Sequence, residues 1–471
     1  MAAARPLTPP QTLFLVAVAW HIAWAGTVAT PSDWDPAYYL SVARHLVAGD
    51  GAVTDAVWNL GWLPPELRHP ADLHWMPLPS RVLVPFLALW PAGGWRAAQL
   101  CSVLLAAGWA PLGWAWARRL GAERLPAWCA GLIAAFAGGY VRTITTPDSI
   151  ALYGLLGGSA LLAASRRLPV TVPLVLAVAL TRGDGFLLGL ACALAWPGTG
   201  GWRVAAAGLG ATAAWALRCW LLAGEGWIAL RERAANSLSL GQILAPPAPP
   251  APSIADRFAF LLHELPTIGA VALVVSGGVL VWPAALELVK RRRERELWPI
   301  AAYALGFPVV IHLLAPAVAA EGSVYRSDAA LFVPMAALAA VGAANLTKRY
   351  HPAFLPGILV VATLVSATVT GLEYTRVLSQ LGEDCTALAS VPKGSAVLSY
   401  DPIGVEARCG HPGAIMARGA DLTPLVEQYH FEWALVAPAT YDNGTVRAED
   451  FTMSGWTRVN ERLWHREAAG R

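Results

Sequence analysis

Charge is what this sequence has least of. Asp, Glu, Lys and Arg make up only 14% of its 471 residues, where soluble domains carry about 25%. Charge this sparse over this length excludes a large soluble core and points to a polytopic membrane protein. Cysteine is scarce too, with six in all. No C-x-x-C pair or Cys/His ligand spacing suggests a zinc site. Cys101, Cys129, Cys192 and Cys219 lie in apolar segments, as packing residues do. Cys385 and Cys409 lie in polar sequence, and a disulfide between them is open if that region is outside the cytoplasm. No basic patch interleaved with aromatics is present, so nucleic acid is not an expected partner. No internal repeat stands out.

What is there is hydrophobic: 56% of the chain, including 22 Trp, a residue that gathers at membrane interfaces. A span needs about 20 apolar residues. Segments of that kind run over about 12–28, 95–117, 124–142, 149–165, 168–181, 184–197, 203–223, 265–286, 298–317, 328–346 and 353–374, roughly 11 transmembrane helices. The first is too long for a signal-peptide core and reads as a retained span. Arg81 to Trp90 is too short to cross and reads as a half-inserted helix. With the N-terminus and Arg5 in the cytoplasm, alternation places Arg118–Arg119, Arg166–Arg167, Arg203, Lys290–Arg293 with Arg295, and Lys348–Arg349 on the same side, as the positive-inside rule requires. Arg231, Arg233 and Arg257 fall on the opposite side and break the rule; they are either solvated or functional. Ala245–Pro252 reads as a stiff polyproline connector.

The expected fold is therefore mainly α: a polytopic helical membrane domain over 1–378, followed by a small extracytoplasmic α/β domain over 379–471. In the latter, 394–400, 415–417, 433–437 and 456–464 read as strands and 423–429 as a helix. Asn443-Gly444-Thr445 fits a glycosylation triplet, a pattern common by chance.

The outer face holds the chemistry. The loop 31–80 follows the first span and carries Asp33, Asp35, Asp50, Asp55, Glu66 and Asp72 against Arg44 and Arg68. Within it, 36–48 has helical spacing and reads as an interfacial amphipathic helix. Asp35, beside Trp34, Tyr38 and Tyr39, suits a general base on a hydroxyl; equally, Asp33 or Asp35 would cap a helix starting at Pro36. Tyr140–Asp148 puts Arg142 and Asp148 on one outer turn, and Asp148 is also placed to cap. Thr181-Arg182-Gly183-Asp184-Gly185 sits between two apolar segments, where ionisable residues are functional candidates, with an internal Arg182–Asp184 pair as the alternative. Arg326, just before a later span, suits a phosphate at the bilayer surface, because Arg binds phosphate bidentately.

At these residues the chain resembles the GT-C glycosyltransferases, in particular bacterial members of the protein mannosyltransferase and aminoarabinose transferase type. D-W-D-P-A-Y-Y-L-S-V-A-R-H-L-V-A-G resembles their first outer loop, and H-W-M-P-L-P-S (His74–Ser80) its proline-containing end. Tyr140–Asp148 resembles their second outer motif. The resemblance implies a GT-C-like core and an inverting transfer of a hexosyl or pentosyl unit. The donor would be a polyprenyl-phosphate sugar and the acceptor a hydroxyl on glycan, lipid or protein, at the outer face of a bacterial plasma membrane. It implies Asp35 and Asp148 as catalytic carboxylates, Arg326, Arg182 and Arg142 for the donor phosphate, and Tyr38, Tyr39, Asp184 and His74 around the substrate. Ser149 and Ile150 follow Asp148 where metal-dependent members carry a second acidic residue, so a divalent metal is not favoured. A lipid-linked substrate transporter or flippase, or a glycan ligase or polymerase, are the alternatives. A transporter should place ionisable groups mid-membrane, and here they gather at one face.

Overall fold

A backbone surrounded by lipid must satisfy its polar groups internally, and the computed structural model is accordingly mainly helical. It describes all residues except 1–5, 32, 197, 241–252, 276–278, 317–323, 348–350, 379–382, 418–419, 439–445, 447, 449–450, 452 and 467–471. The polyproline connector, the glycosylation triplet and Lys348–Arg349 lie outside the described residues.

The helices run α1 (Pro9–Thr27), α2 (Trp34–Ala48), α3 (Leu78–Leu89), α4 (Trp95–Ala107), α5 (Trp109–Arg119), α6 (Arg124–Phe136), α7 (Val141–Ile144), α8 (Ser149–Ser165), α9 (Thr171–Thr181), α10 (Gly185–Ala193), α11 (Thr199–Ala223) and α12 (Trp227–Leu240). Then come α13 (Ile254–Val275), α14 (Val281–Lys290), α15 (Trp298–Leu314), α16 (Val324–Ser327), α17 (Ala329–Leu346) and α18 (Phe354–Leu378). Among the described residues, six helical stretches are long and apolar enough to cross a membrane: Trp95–Arg119, Arg124–Ile144, Thr199–Ala223, Arg295–Leu314, Ala329–Leu346 and Phe354–Glu373. They make the chain an integral membrane protein, and each coincides with an expected span. Of the other expected spans, 12–28 is the 19-residue α1, while 149–165 and 184–197 are the shorter α8 and α10. The 168–181 segment is reduced to α9, and 265–286 divides between α13 and α14. The 81–90 segment is the 12-residue α3.

Small residues let the helices approach closely. A side chain at Gly157 would run into Ala330 of α17. Indole donors satisfy themselves on neighbouring backbone: Trp109 Nε1 donates to the Ala151 carbonyl at 3.0 Å and Trp116 Nε1 to that of Gly158 at 3.0 Å.

After α18 the chain forms α19 (Asp384–Ala387), α20 (Pro402–Cys409) and α21 (Thr423–Tyr429) around a sheet. Three short strands in the first loop, β1 (Val53–Thr54), β2 (Ala56–Val57) and β3 (His69–Pro70), precede β4 (Val397–Ser399), β5 (Gly413–Ile415), β6 (Trp433–Leu435), β7 (Trp456–Arg458) and β8 (Leu463–Arg466). β1 pairs with β3, and the six-stranded sheet has the order β2-β5-β4-β6-β8-β7. The expected strand over 456–464 is an antiparallel hairpin, because Asn460 turns the chain and its side chain accepts from Arg462 and Leu463 N–H. The sheet also takes its edge strand β2 from the first loop, in parallel register with β5. That long-range pairing has no signature in either segment alone. Cys385 and Cys409 form a disulfide.

α2 matches the expected helix but does not lie on a free surface. Asp35 to Ala43 are all buried, because α20 and the Trp58 and Trp75 loop cover it.

Candidate active site

Asp33 caps α2, accepting the Trp34 N–H at 2.8 Å. Asp35, one residue inside, is released from capping. Its Oδ1 accepts Trp75 Nε1 at 2.9 Å and its Oδ2 faces Arg326 Nη1 at 3.1 Å. Arg326, on α16, also lies 3.7 Å from Asp33. The Asp35 side chain is 7% exposed. Trp75 is fixed in turn by stacking on Tyr38 at 4.2 Å, and the Tyr38 hydroxyl accepts from Asp72 N–H at 2.5 Å. The aromatic cluster thus aims a carboxylate and keeps water from it.

Asp148 does cap α8, as its alternative reading allowed: Oδ1 accepts from Ile150 N–H at 3.0 Å and Ser149 Oγ at 3.1 Å. Its other oxygen, Oδ2, is buried without a hydrogen-bond partner. Burial, then the neighbouring Asp35 carboxylate, raise its pKa to about 6, against the pull of Arg326. Tyr39 lies between the two carboxylates electrostatically, its phenol pushed well up by burial, Asp35 and Asp148.

Asp35, Tyr39, His74, Trp75, Arg182 and Arg326 line a cleft of about 40 Å³, together with Asp184, Trp227, Arg231 and Ile311. Burial, then Arg231 and His69, push the His74 imidazole well below its usual range. Arg182 pairs with Asp184 at 3.0 Å, the internal pair the sequence allowed, while Asp184 Oδ2 accepts from Ser327 Oγ. Gly183 is required by close approach: a Cβ there would overlap the Trp227 ring. Arg142 is not among the lining residues; its side chain is exposed on α7. Tyr38 is also outside the lining and acts through Trp75. Asp148 is likewise not among the lining residues.

The residues that sequence reading missed are Trp75, Trp227 and Arg231. For Arg231 a signal existed, as an arginine on the wrong side for topology. It lies 5.9 Å from the centre of the Trp75 ring. A second, apolar cleft of about 20 Å³ adjoins the first. It shares Gly183, Asp184, Trp227, Arg231 and Ile311, and adds Phe186, Leu187, Val310 and Leu314 from α10 and α15. Arg231 is the lining cation common to both. For a divalent cation, Asp35 and Asp148 supply carboxylates, but the Arg326 guanidinium occupies the place between Asp33 and Asp35 that a metal would take. The arrangement fits a resident arginine rather than a metal.

No protein-family model matches the chain, and no curated protein matches it in sequence. Solved structures do share its fold, and they are GT-C glycosyltransferases. The oligosaccharyltransferase of Archaeoglobus fulgidus, crystallised with zinc and sulfate, superposes with a TM-score of 0.56 at 12% identity, over 91% of this chain and 67% of that one. The same enzyme, AglB, in complex with an inhibitory peptide and a dolichol-phosphate, gives 0.55 at 11% identity, over 90% and 69%. ArnT from Cupriavidus metallidurans gives 0.56 at 14% identity, over 91% and 93% in its apo state, and 0.52 at 13% when bound to undecaprenyl phosphate.

Proposed function

We propose that the chain is a membrane glycosyltransferase that moves a hexosyl or pentosyl unit from a polyprenyl-phosphate donor to a hydroxyl acceptor at the extracytoplasmic face. The observation that carries this is the continuity of the two clefts. A polar chamber holding Asp35 and Arg326 opens into an apolar groove between α10 and α15, with Arg231 at the junction. That is the shape of a ligand with a charged head and an isoprenoid tail. Likeness of fold to proteins crystallised with dolichol-phosphate and undecaprenyl phosphate supports the same ligand class.

In this reading the chain crosses the membrane eleven times, with the N-terminus in the cytoplasm and residues 379–471 outside. The Cys385–Cys409 disulfide supports the outer placement, because disulfides persist in oxidising compartments. The acceptor oxygen bonds to the anomeric carbon as that carbon's bond to the phosphate oxygen breaks. Asp35 takes the acceptor proton, oriented by Trp75. The departing phosphate keeps the bonding pair, and Arg326 and Arg231 stabilise its charge. Attack opposite the leaving group inverts the anomeric configuration.

Sugar transfer in reconstituted membranes, with a panel of polyprenyl-phosphate sugars and hydroxyl acceptors, tests the proposal. The expected result is consumption of one donor and release of polyprenyl phosphate. Movement of donor across the bilayer without bond cleavage would support a flippase instead.

A further inference from the structure

The C-terminal segment touches the helix that carries Asp35 along one continuous line. Ser41 Oγ donates to Glu406 Oε1, and Arg44 Nη1 to the Ala407 carbonyl at 2.8 Å. Ile403 and Ala407 of α20 are buried in the same cluster as Tyr38, Tyr39 and Val42 of α2. The next residue, Arg408, has only 2% of its side chain exposed. Its Nη1 donates to the Pro31 carbonyl at 3.1 Å, just ahead of Asp33 and Asp35. Its Nη2 bonds Asp384 at 2.7 Å and Asp401 at 2.8 Å. The disulfide joins the residues immediately following this pair, Cys385 after Asp384 and Cys409 after Arg408. A covalent bond therefore pins an ion pair that in turn grips the start of the catalytic loop. A Cβ on Gly404 would collide with both Asp401 and Arg408, so the turn is shaped to let them meet.

We propose that α20 and its disulfide form a brace that sets the position of Asp35, with Arg408 and Glu406 as positioning residues. This rests on the reading of Asp35 as the catalytic base. α2 has 15 residues, close to the length below which a helix is marginal on its own, about 12–15 residues. Its placement comes from what holds it. From the first loop, Trp75 holds Asp35; from the C-terminal segment, α20 holds the flank and Arg408 the approach. Misplacing a reacting group by about 1 Å can cost on the order of 10²-fold in rate. Loosening the brace should therefore lower kcat and leave donor affinity alone, because Arg231 and the apolar groove lie on other elements.

The test uses the full chain in lipid nanodiscs. Hydrogen–deuterium exchange and sugar transfer are measured on the oxidised protein, on protein reduced with dithiothreitol, and on oxidised Arg408→Lys. Dithiothreitol supplies two electrons and two protons, giving two thiols and its own cyclic disulfide; Cys385 is exposed to it. Lysine keeps the charge beside Asp384 and Asp401 but cannot serve three acceptors in Arg408's fork geometry. Faster exchange confined to residues 33–48 is expected in both altered forms, with 95–119 unchanged. A fall in kcat of roughly 10- to 100-fold should accompany it, with donor KM held within about twofold. Unchanged exchange over 33–48 overturns the brace, and so does an increase spread equally over 95–119. Loosening of 33–48 with unchanged kcat overturns the positioning role. Loosening of 33–48 in a protein whose unaltered form transfers no sugar keeps the brace and removes the transferase reading.

Discussion

This protein holds two buried arginine–carboxylate clusters, and their carboxylates are satisfied to different degrees. In the C-terminal sheet, Asp384 is fully buried and saturated. Tyr400 donates to both oxygens, Arg408 to Oδ2 and Arg462 to Oδ1. In the cleft, Asp35 has one donor on each oxygen; Asp148, outside the lining, leaves Oδ2 with none. Unpaired buried polar groups cost free energy, and an unpaired carboxylate oxygen costs more than an unpaired neutral group. Around Asp384 the unpaired atoms are donors, Arg408 Nε and Arg462 Nη1. Asp35 instead lines a cleft of about 40 Å³.

The comparison can be broken by substituting one carboxylate in each cluster. Asp35→Asn should lower sugar transfer by roughly 10²-fold or more and cost less stability than the change at Asp384, because Arg326 keeps Asp33 at 3.7 Å. Asp384→Asn should do the reverse first: it removes the one carboxylate that Arg408 and Arg462 share, and removing one member of a buried ion pair costs about 3–5 kcal/mol, read as a lowered denaturation midpoint. Equal losses of activity and stability from both would dissolve the distinction. Smaller in stability is Cys385→Ser with Cys409→Ser, expected to cost about 2–4 kcal/mol. Arg231→Ala should raise donor KM by about 10-fold or more, since bonds to charged groups contribute about 1.5–3 kcal/mol; an unchanged KM would remove it from the phosphate site.

The smallest effects are in pH. Activity that needs ionised Asp148 should fall as pH drops through about 6, and the pH–rate profile of Asp148→Asn should lose that limb. His45, on the braced face of α2, has its pKa raised to about 9, by Glu406 first and, against burial, by Asp50 and Asp55. A raised histidine contributes stability that is complete below its ordinary 6.5 and is lost as pH rises through about 9. Exchange over 33–48 should therefore quicken across that interval beyond its intrinsic pH dependence, and His45→Gln should abolish the excess.

Much of this was legible in the chain. Apolar runs marked six helices of spanning length, and the loop 31–80 supplied Asp35, Tyr39, His74 and Trp75 to the cleft. Asp35, Asp148, Arg182, Arg326, Tyr39, Asp184 and His74 do converge around one cleft or its edge. Arg142, Tyr38 and Asp148 do not line that cleft, and short degenerate motifs do not specify which of their residues will.

The sequence by itself determined the membrane-embedded helical class, the face on which ionisable groups gather, and the cysteines free to pair. These follow from composition and periodicity, which a window of about 20 residues contains. Tertiary structure alone decided that Arg326 would sit against Asp35, that Arg231 would stand where two clefts meet, and that Ser41 would bond Glu406 across 365 residues of chain. It also decided that a strand from the first loop would complete the C-terminal sheet. Ion pairs and hydrogen bonds of this kind depend on atoms brought within a few ångströms by packing elsewhere, and neither partner's neighbours in the chain carry that information.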